Sequence, residues 1–321
     1  MVREEVGPFR LAPWFSQRPW GRFDLKPWYK TTGTAGPVGE AWLTGPQCVV
    51  ETGSLNGKTL AEAAAEEGEW LVGADETIQG TGMEFPLLVK LLFPSEKLSV
   101  QVHPDDAMAR EMGEPRGKTE CWYVLQAESG ATIALGLREG VTSEAVRAAA
   151  DGIHRVGMTM EELLEWIPVT AGEMVFVDAG TVHAIGPGVV LLETQQTSDT
   201  TFRLYDYGRG RELHLEKALR ALKTRTAAGK VQPRTMDGFV RLIEQKYFVV
   251  DRYHLAAGGE ADVQIKGAGC MVGLSGSALV KSERFENVEL RLGQAVVVPV
   301  HCGAVRVKSS AGASFVNCWA P

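Results

Sequence analysis

Three short segments of the chain carry polar side chains that could bind one metal ion. Gln101 and His103 are two residues apart in a predicted strand, so both side chains lie on the same face of it. Glu120 opens the next strand, and His183 follows a glycine-containing turn. Two imidazoles, one carboxylate and one amide oxygen are a plausible ligand set for Zn²⁺. With a single ionised ligand, such a centre keeps a net positive charge, which suits a developing enediolate or alkoxide.

Short strands must hold these groups in place. Apolar and polar residues alternate strictly over Leu98–His103, which predicts a strand with Gln101 and His103 on its polar face. Further strands are predicted at Phe85–Phe93, Glu120–Gln126, Glu173–Val177, Val189–Thr194, Phe202–Tyr207, Phe248–His254, Cys270–Leu274, Ala278–Lys281, Val288–Leu292, Ala295–Val300, Val305–Lys308 and Ser314–Trp319.

Helices are predicted in only a few places. Residues 1–80 are predicted to be irregular apart from one helix over Gly57–Glu69. Helical periodicity recurs at Ser143–Ala150 and Thr159–Trp166, with Thr142 and Thr159 as plausible N-caps, and at Glu212–Thr224. The 36 glycines are scattered, as expected for many short strands joined by tight turns. The pattern predicts a mainly β fold of the sandwich or barrel type.

Charge and composition exclude several classes of protein. The chain of 321 residues has a formal charge of −7 and no Lys/Arg block, so a nucleic-acid partner is not expected. No apolar run reaches the roughly 20 residues that cross a membrane, and the N-terminus lacks a signal-peptide pattern. Five cysteines without paired spacing are typical of reduced thiols. We therefore expect a cytoplasmic protein without a membrane partner.

The order of several motifs resembles one known family. The segment Gly172-x5-Asp178-x-Gly180-x2-His183 is similar to the second cupin motif, with Asp178 where proline is usual. Four ordered segments resemble type I mannose-6-phosphate isomerase in its compact bacterial form: Gln101-Val-His103-Pro-Asp-Asp, Gly117-Lys118-Thr-Glu120-Cys-Trp-Tyr, Ala179-Gly-Thr-Val-His183-Ala and Ser198-Asp199-x3-Arg203. The resemblance extends from about Trp20 to the C-terminus and is strongest over residues 85–215.

This resemblance implies a fold and a domain organisation. We expect two cupin-type β-barrel or jelly-roll units, with a small helical insertion at about 142–167 in the first. Because the chain turns polar around Thr226–Met236, we place the metal-binding catalytic domain at 1–230 and a degenerate cupin domain at 231–321. The second unit has only His254 and His301, without a Gln-x-His partner, so its expected role is structural.

The resemblance also implies an activity and a set of residues. The family interconverts mannose 6-phosphate and fructose 6-phosphate through a cis-enediol, and Gln101, His103, Glu120 and His183 match its zinc ligands, one Zn²⁺ per chain. Positions near the substrate and its phosphate are matched by Lys90, Ser99, Lys118 and Arg203. The general base is matched by Glu193 first and by Asp199 second, and Lys118 is a candidate for ring opening. Asp199 could instead orient Arg203.

Two other kinds of cupin protein stay open at this point. Two histidines and a carboxylate could form the facial triad of an Fe(II) oxygenase, although Gln101 and the Lys/Arg set suit a phosphosugar better. A sugar-binding cupin without catalysis would be expected to have lost a ligand or Arg203, and neither is lost. The ligand set also accepts Fe²⁺, Mn²⁺ or Co²⁺. We expect the partner to be a small sugar phosphate and the protein to be a monomer or weak homodimer.

Overall fold

The computed structural model of the chain describes residues 5–30, 32–74, 83–150 and 158–321, and it is mainly β, as predicted. Its elements up to residue 231 are, in chain order, β1 (Phe9–Leu11), β2 (Trp14–Arg22), β3 (Val38–Trp42), α1 (Leu60–Glu67), α2 (Glu69–Val72), β4 (Leu87–Leu92), β5 (Val100–Val102), α3 (Asp106–Glu111), β6 (Glu120–Ala127), β7 (Thr132–Leu137), α4 (Ser143–Ala150), β8 (Leu164–Pro168), β9 (Met174–Val177), β10 (His183–Ile185), β11 (Val189–Gln196), β12 (Phe202–Tyr205), α5 (Leu215–Ala221) and β13 (Gly229–Val231). The later elements are β14 (Arg234–Thr235), β15 (Val240–Glu244), β16 (Val249–Leu255), β17 (Glu260–Gln264), β18 (Gly269–Lys281), β19 (Val288–Arg291), β20 (Ala295–Val298), β21 (Ala304–Lys308) and β22 (Ala313–Trp319).

These strands form three antiparallel sheets. A five-stranded sheet has the order β12-β5-β10-β7-β8, and a seven-stranded sheet has the order β13-β9-β6-β11-β4-β3-β2. A ten-stranded sheet follows the path β1-β20-β18-β22-β16-β15-β14, with β17, β19 and β21 attached beside it. The described strands close none of these sheets into a barrel, so the two predicted cupin units take an open, layered form.

The seven-stranded sheet is the middle layer because its two faces belong to different cores. On β6, Trp122 packs in the core shared with the five-stranded sheet. The next residue, Tyr123, packs in the core shared with the ten-stranded sheet. On β11, Leu191 and Leu192 divide in the same way. Since side chains alternate across a strand, Glu120 and Glu193 share the face of Trp122 and Leu191, which looks toward the five-stranded sheet.

The helical insertion differs from its prediction. Ser143–Ala150 is a helix, as predicted. The predicted helix Thr159–Trp166 is wrong, because only Met160–Leu163 forms a short 3₁₀ turn before strand β8 begins. A capping box between Thr159 and Glu162 starts the turn, but Ile167 and its neighbours then pair with β7 instead of continuing the helix. Residues 151–157 of the predicted insertion lie outside the described residues.

The N-terminal region is more regular than predicted. It contains the strands β1, β2 and β3, whereas the sequence pattern favoured irregular structure up to residue 80. Repeated Trp, Pro and Gly residues interrupt the alternation of apolar and polar residues by which a strand is predicted. The strands form because β3 pairs with β4 and β1 pairs with β20, both far away in sequence. The helices α1 and α5 are shorter than predicted, since α1 covers only Leu60–Glu67 and α5 only Leu215–Ala221.

The N-terminal strand also crosses between the two parts of the chain, because β1 pairs with β20 in the ten-stranded sheet. The domain division at residue 230 stays a prediction. No helix in the described part of the chain is both long enough and apolar enough to cross a membrane.

Candidate metal centre and active site

Strand register brings three of the predicted residues into one row. On the five-stranded sheet, Gln101 of β5 lies directly opposite His183 of β10 on one side. On its other side, Gln101 lies opposite Arg203 of β12. Directly opposed residues of antiparallel strands project from the same face, so these three side chains form one wall of a cleft. The separate motifs of the sequence therefore meet through antiparallel pairing.

The turn before His183 requires glycine and positions the histidine. Gly180 has a φ of 90°, a left-handed conformation that favours glycine, and a Cβ atom there would lie 2.7 Å from the Lys223 side chain. The Gly180 N–H group donates to the His103 carbonyl at 2.9 Å. The two histidine-bearing segments are thus tied together by the backbone.

The side chains of His103, Glu120 and His183 converge on one point. Their ligand atoms all lie within 4.8 Å of one another, and all three residues are buried. Glu120 Oε2 lies 3.6 Å from His103 Nε2, and Glu120 Oε1 lies 3.5 Å from His183 Nε2. Three of the four predicted metal ligands therefore form a compact nitrogen–oxygen centre.

Both histidines present an unprotonated Nε2 atom to this centre. His103 Nδ1 donates to the Thr200 carbonyl at 3.0 Å, and His183 Nδ1 donates to the Thr181 carbonyl at 2.9 Å. Burial, together with the nearby Lys118 charge, holds the pKa of His103 well below its usual value. Burial also lowers the pKa of His183 to about 4. Neutral rings with a fixed Nδ1–H are the form in which histidine binds a metal.

The centre fits a cation. Both carboxylate oxygens of Glu120 are buried and make no well-aligned hydrogen bond to the residues that the structure describes, so the charge of Lys118 is what compensates them. The ammonium group of Lys118 already lies between the ligands, 2.8 Å from Glu120 Oε2 and 3.0 Å from His103 Nε2. A buried carboxylate without hydrogen-bond donors is costly unless a cation compensates it. The donor set, two imidazoles and a carboxylate, suits Zn²⁺ in particular.

Gln101 lies beside the centre. Its Nε2 atom is 3.2 Å from His183 Nε2, and its Oε1 atom accepts a hydrogen bond from Ser99 Oγ at 3.2 Å. Rotating the amide by half a turn exchanges the two atoms, and Ser99 Oγ can then accept from Nε2. In that rotamer Gln101 offers its oxygen toward the metal centre, which is the role predicted for it.

The two predicted base candidates occupy different environments. Glu193 is buried, and its Oε2 atom accepts from Trp122 Nε1 at 3.2 Å. Burial, and then the negative charge of Glu120, raise the pKa of Glu193. The Asp199 side chain is 50% exposed and accepts from Lys90 Nζ at 3.1 Å. In the described part of the chain the Asp199 carboxylate pairs with Lys90, and its suggested role in orienting Arg203 stays a prediction.

Lys90 and Ser99, two of the residues predicted to contact the phosphate, are both buried. Lys90 Nζ lies 3.5 Å from Glu193 and 4.6 Å from the centre of the Trp42 ring, and the side chain is only 3% exposed. Ser99 is buried and directs its hydroxyl to Gln101. Their predicted contact with a phosphate stays a prediction.

A cavity of about 360 Å³ borders the metal centre through Gln101 and Lys118 and is also lined by Lys90, Ser99, Glu193, Asp199 and Arg203. Its charged and polar lining includes most of the predicted residues, together with three that the sequence reasoning missed: Arg18, Glu40 and Arg211. Arg18 lies two residues before Trp20, where the family resemblance begins, and this nearness is the one signal that could have identified it. Burial raises the pKa of Glu40, but the charges of Lys90 and Arg18 outweigh it and lower that pKa to about 2.

The layered sheets and the His–Glu–His centre define a metal-binding protein of the cupin type. Residues 9–136 match the family model described as phosphomannose isomerase type I, catalytic domain. Mannose-6-phosphate isomerase ManA of Bacillus subtilis is 37% identical over 265 residues, 78% of this chain and 80% of that relative. The chain belongs to the mannose-6-phosphate isomerase family.

Solved structures agree with this assignment. The crystal structure of a mannose 6-phosphate isomerase from Bacillus subtilis aligns with a TM-score of 0.83 at 31% identity, covering 98% of this chain and 99% of that one. A zinc-bound holo mannose 6-phosphate isomerase aligns with a TM-score of 0.78, covering 98% of this chain and 100% of that one. At 16% identity, this second likeness shows the fold alone.

Proposed function

We propose that the protein is a metal-dependent ketol isomerase that interconverts mannose 6-phosphate and fructose 6-phosphate through a cis-enediol. The observation that carries this proposal is a single cavity lined by the buried carboxylate of Glu193 and by Gln101 and Lys118, which contact the His103/Glu120/His183 centre. An aldose–ketose isomerase needs this combination of a base near C1 and C2 and a positive charge near O1 and O2.

The metal is proposed to be one Zn²⁺ per chain, held by Gln101, His103, Glu120 and His183. When bound, Zn²⁺ supplies Lewis-acid polarisation of the sugar oxygens. A family member of the same fold carries zinc, and the buried, donor-poor Glu120 carboxylate supports a cation at this point. The same ligand set also accepts Fe²⁺, Mn²⁺ or Co²⁺.

The proton transfer is proposed to use Glu193. Its carboxylate accepts the C2 proton of the open-chain aldose, the C2–H electron pair forms the C1=C2 double bond, and the O1 carbonyl oxygen takes up a proton from a water molecule to become a hydroxyl. Glu193 then returns the C2 proton to C1, while the O2 hydroxyl gives its proton back to water and the C2 carbonyl forms. A base with a raised pKa binds the transferred proton more strongly than an ordinary carboxylate does. Trp20, Leu92 and Ile185 line the cavity and limit access of water.

The cationic side chains have separate tasks in this proposal. Lys118, beside the metal ligands, stabilises negative charge on the sugar oxygens and assists ring opening. Lys90 and Ser99 hold Glu193 and Gln101 in position from the inner end of the cavity. Arg203 stabilises the enediol and meets the anionic end of the substrate. Asp199 is the second candidate for the base.

The test is metal reconstitution followed by a coupled assay for fructose 6-phosphate formation. The metal-free protein should be inactive and should regain mannose 6-phosphate isomerisation with Zn²⁺. Absence of turnover with Zn²⁺, Fe²⁺, Mn²⁺ and Co²⁺ alike would contradict the enzymatic role. We further propose a cytoplasmic monomer or weak homodimer, with a catalytic domain at 1–230 and a metal-free domain at 231–321.

A further inference from the structure

Three arginines line the outer part of the cavity, and we propose that Arg18, Arg203 and Arg211 together bind the phosphate group of the sugar substrate. This inference rests on the proposed function, because it assigns the anion subsite of the same cavity. It adds two residues, Arg18 and Arg211, that no sequence motif identified.

The cavity is cationic although the protein is acidic. The lining contains five basic and three acidic side chains, an excess of two positive charges in a chain whose formal charge is −7. Such a local excess raises the local concentration of an anionic substrate. The basic residues are Arg18, Lys90, Lys118, Arg203 and Arg211, and the acidic ones are Glu40, Glu193 and Asp199.

The two lysines and the three arginines occupy different depths. The side chains of Lys90 and Lys118 are 3% and 4% exposed, and both are ion-paired with buried carboxylates. The side chains of Arg18 and Arg211 are 30% and 26% exposed. The arginines are therefore the cations that an entering anion meets, whereas the lysines serve the metal and base end.

Arg203 is the least compensated of these cations. Its Nη1 atom donates to the Glu212 carbonyl at 2.7 Å, and its Nε atom is buried without a hydrogen-bond partner in the described part of the chain. Burial, and then the positive charges of Arg211 and Arg18, lower the pKa of Arg203. Three guanidinium groups thus lie close enough to repel one another, which an anion between them would relieve.

Carboxylates hold Arg18 and Arg211, which flank Arg203, by only one edge of each guanidinium group. Arg18 donates from Nε and Nη2 to the two oxygens of Glu40, at 3.1 and 3.2 Å. Arg211 donates in the same way from Nε and Nη2 to Asp206. Among the residues that the structure describes, these bonds leave the Nη1 group of both arginines unused, and the bond of Arg203 leaves its Nη2 group unused. These three donor groups match the three terminal oxygens of a phosphate monoester.

Local backbone features place Arg18 beside the cavity. In the pairing of β2 with β3, Val38 lies opposite both Gln17 and Arg22, so the intervening residues form a wide bulge. A Cβ atom on Gly39 would lie 2.5 Å from Arg18 Cβ, and only glycine admits this crossing of the arginine stem over β3. Arg18 lies in this bulge, and its side chain lines the cavity.

A turn after β12 places Arg211 beside the cavity. After β12, Tyr207, Gly208 and Gly210 all have positive φ angles, of 55°, 74° and 76°. This conformation turns the chain back so that Arg211 reaches the buried carboxylate of Asp206. A strained non-glycine residue such as Tyr207 is tolerated where the surrounding structure fixes a functional geometry.

The test measures phosphate binding without catalysis. Metal-free protein is titrated with inorganic phosphate by calorimetry, which avoids phosphate binding to the metal. Arg18→Gln, Arg203→Gln and Arg211→Gln should each weaken phosphate binding about tenfold or more, the effect of losing one charge-assisted hydrogen bond. Because Arg18→Gln removes one of the cations beside Glu40, the double variant Arg18→Gln/Glu40→Gln checks that the loss does not come from repulsion by Glu40.

Arg306→Gln is the matched control. Arg306 also pairs with an aspartate, Asp262, through Nε and Nη2, but it lies in the second unit and does not line this cavity. Its phosphate affinity should equal that of the unchanged protein. If Arg211→Gln does not fold, Arg211→Lys keeps the charge, removes the fork and should still weaken binding.

Two results would overturn the inference: no phosphate binding by the metal-free protein, or unchanged affinity in the folded Arg18 and Arg211 variants. With mannose 6-phosphate, the same two variants of the zinc-loaded protein should raise KM more than they lower kcat. Arginine-dependent phosphate binding without isomerisation would contradict the proposed function alone. Isomerisation with an unchanged KM in both variants would contradict the phosphate assignment alone.

Discussion

Lys90 and Glu193 are directly opposed residues of the antiparallel strands β4 and β11, and Lys90 Nζ lies 3.5 Å from Glu193 Oε1. The ammonium group alone would lower the pKa of Glu193. Burial and the charge of Glu120 outweigh it, so the pKa of Glu193 is raised. Lys90 therefore compensates the charge of the buried Glu193 carboxylate, and Glu193 still binds a proton more strongly than an ordinary carboxylate does.

Replacing Glu193 by glutamine should stop proton transfer while the metal centre stays intact. The change removes the proposed base but keeps the shape of the side chain and its hydrogen bond from Trp122. We expect kcat to fall by roughly 10²–10⁴. Exchange of the C2 proton with solvent, followed by NMR in D₂O, is the measurement. Asp199→Asn is the comparison, and it should retain exchange; the opposite result would transfer the role of base to Asp199.

Replacing Glu120 by glutamine should remove the metal. The neutral amide cannot balance the cation between two imidazoles, so zinc content should fall from about one per chain to a small fraction of that. Thermal unfolding should agree, because a ligand that binds only the folded state stabilises it. Added Zn²⁺ should therefore raise the Tm of the unchanged protein and not that of Glu120→Gln. An equal rise in both would place the metal elsewhere.

Arg203→Ala should separate substrate binding from metal binding. Arg203 lies opposite Gln101 in the strand register but belongs to none of the groups that converge on the metal. We expect kcat/KM to fall about a hundredfold, while elemental analysis still finds about one zinc per chain. Loss of zinc along with activity would mean that Arg203 supports the metal site.

Asp106 links the metal-binding segments to the second part of the chain. Its Oδ2 atom accepts from the Tyr247 hydroxyl at 2.6 Å, and its Oδ1 atom accepts from Gly117 N and Gln196 Nε2, both at 3.0 Å. Gln196 Oε1 in turn accepts from Thr119 N at 2.9 Å, so the backbone on both sides of Lys118 is held. Tyr247→Phe should lower the free energy of unfolding by about 1–2 kcal/mol, measured by urea denaturation.

The same carboxylate predicts a pH dependence. Burial raises the pKa of Asp106, but hydrogen bonds from Tyr247, Gln196 and Gly117 outweigh it and lower that pKa. The stability that Asp106 contributes is therefore present above its unfolded pKa of about 3.9 and is lost as the pH falls through the lower folded value. The difference in unfolding free energy between the unchanged protein and Asp106→Asn should be constant above about pH 5 and shrink toward pH 3. A difference that grows on acidification would contradict this assignment.

The metal centre was readable from the sequence because its signals are local. Strand alternation put Gln101 and His103 on one face, and the motifs around Glu120 and His183 were recognisable from their order along the chain. Arg18 and Arg211 were not predictable, since a bulge in β2 and a left-handed turn after β12 bring them to the cavity. The false helix at Thr159–Trp166 has a similar cause: its capping box is local, but its pairing with β7 is not.

The middle sheet has a consequence for how the chain can come apart. Its face toward the ten-stranded sheet carries Tyr123, Phe176 and Leu192, all buried. If the C-terminal part unfolded first, this apolar face would meet water, at a cost of about 25 cal/mol for each Å² exposed. The C-terminal part of the chain is therefore not expected to separate from the N-terminal part without exposing this face. Thermal unfolding should therefore show a single transition for the N-terminal and C-terminal parts. A fragment that ends near residue 230 should be prone to aggregation.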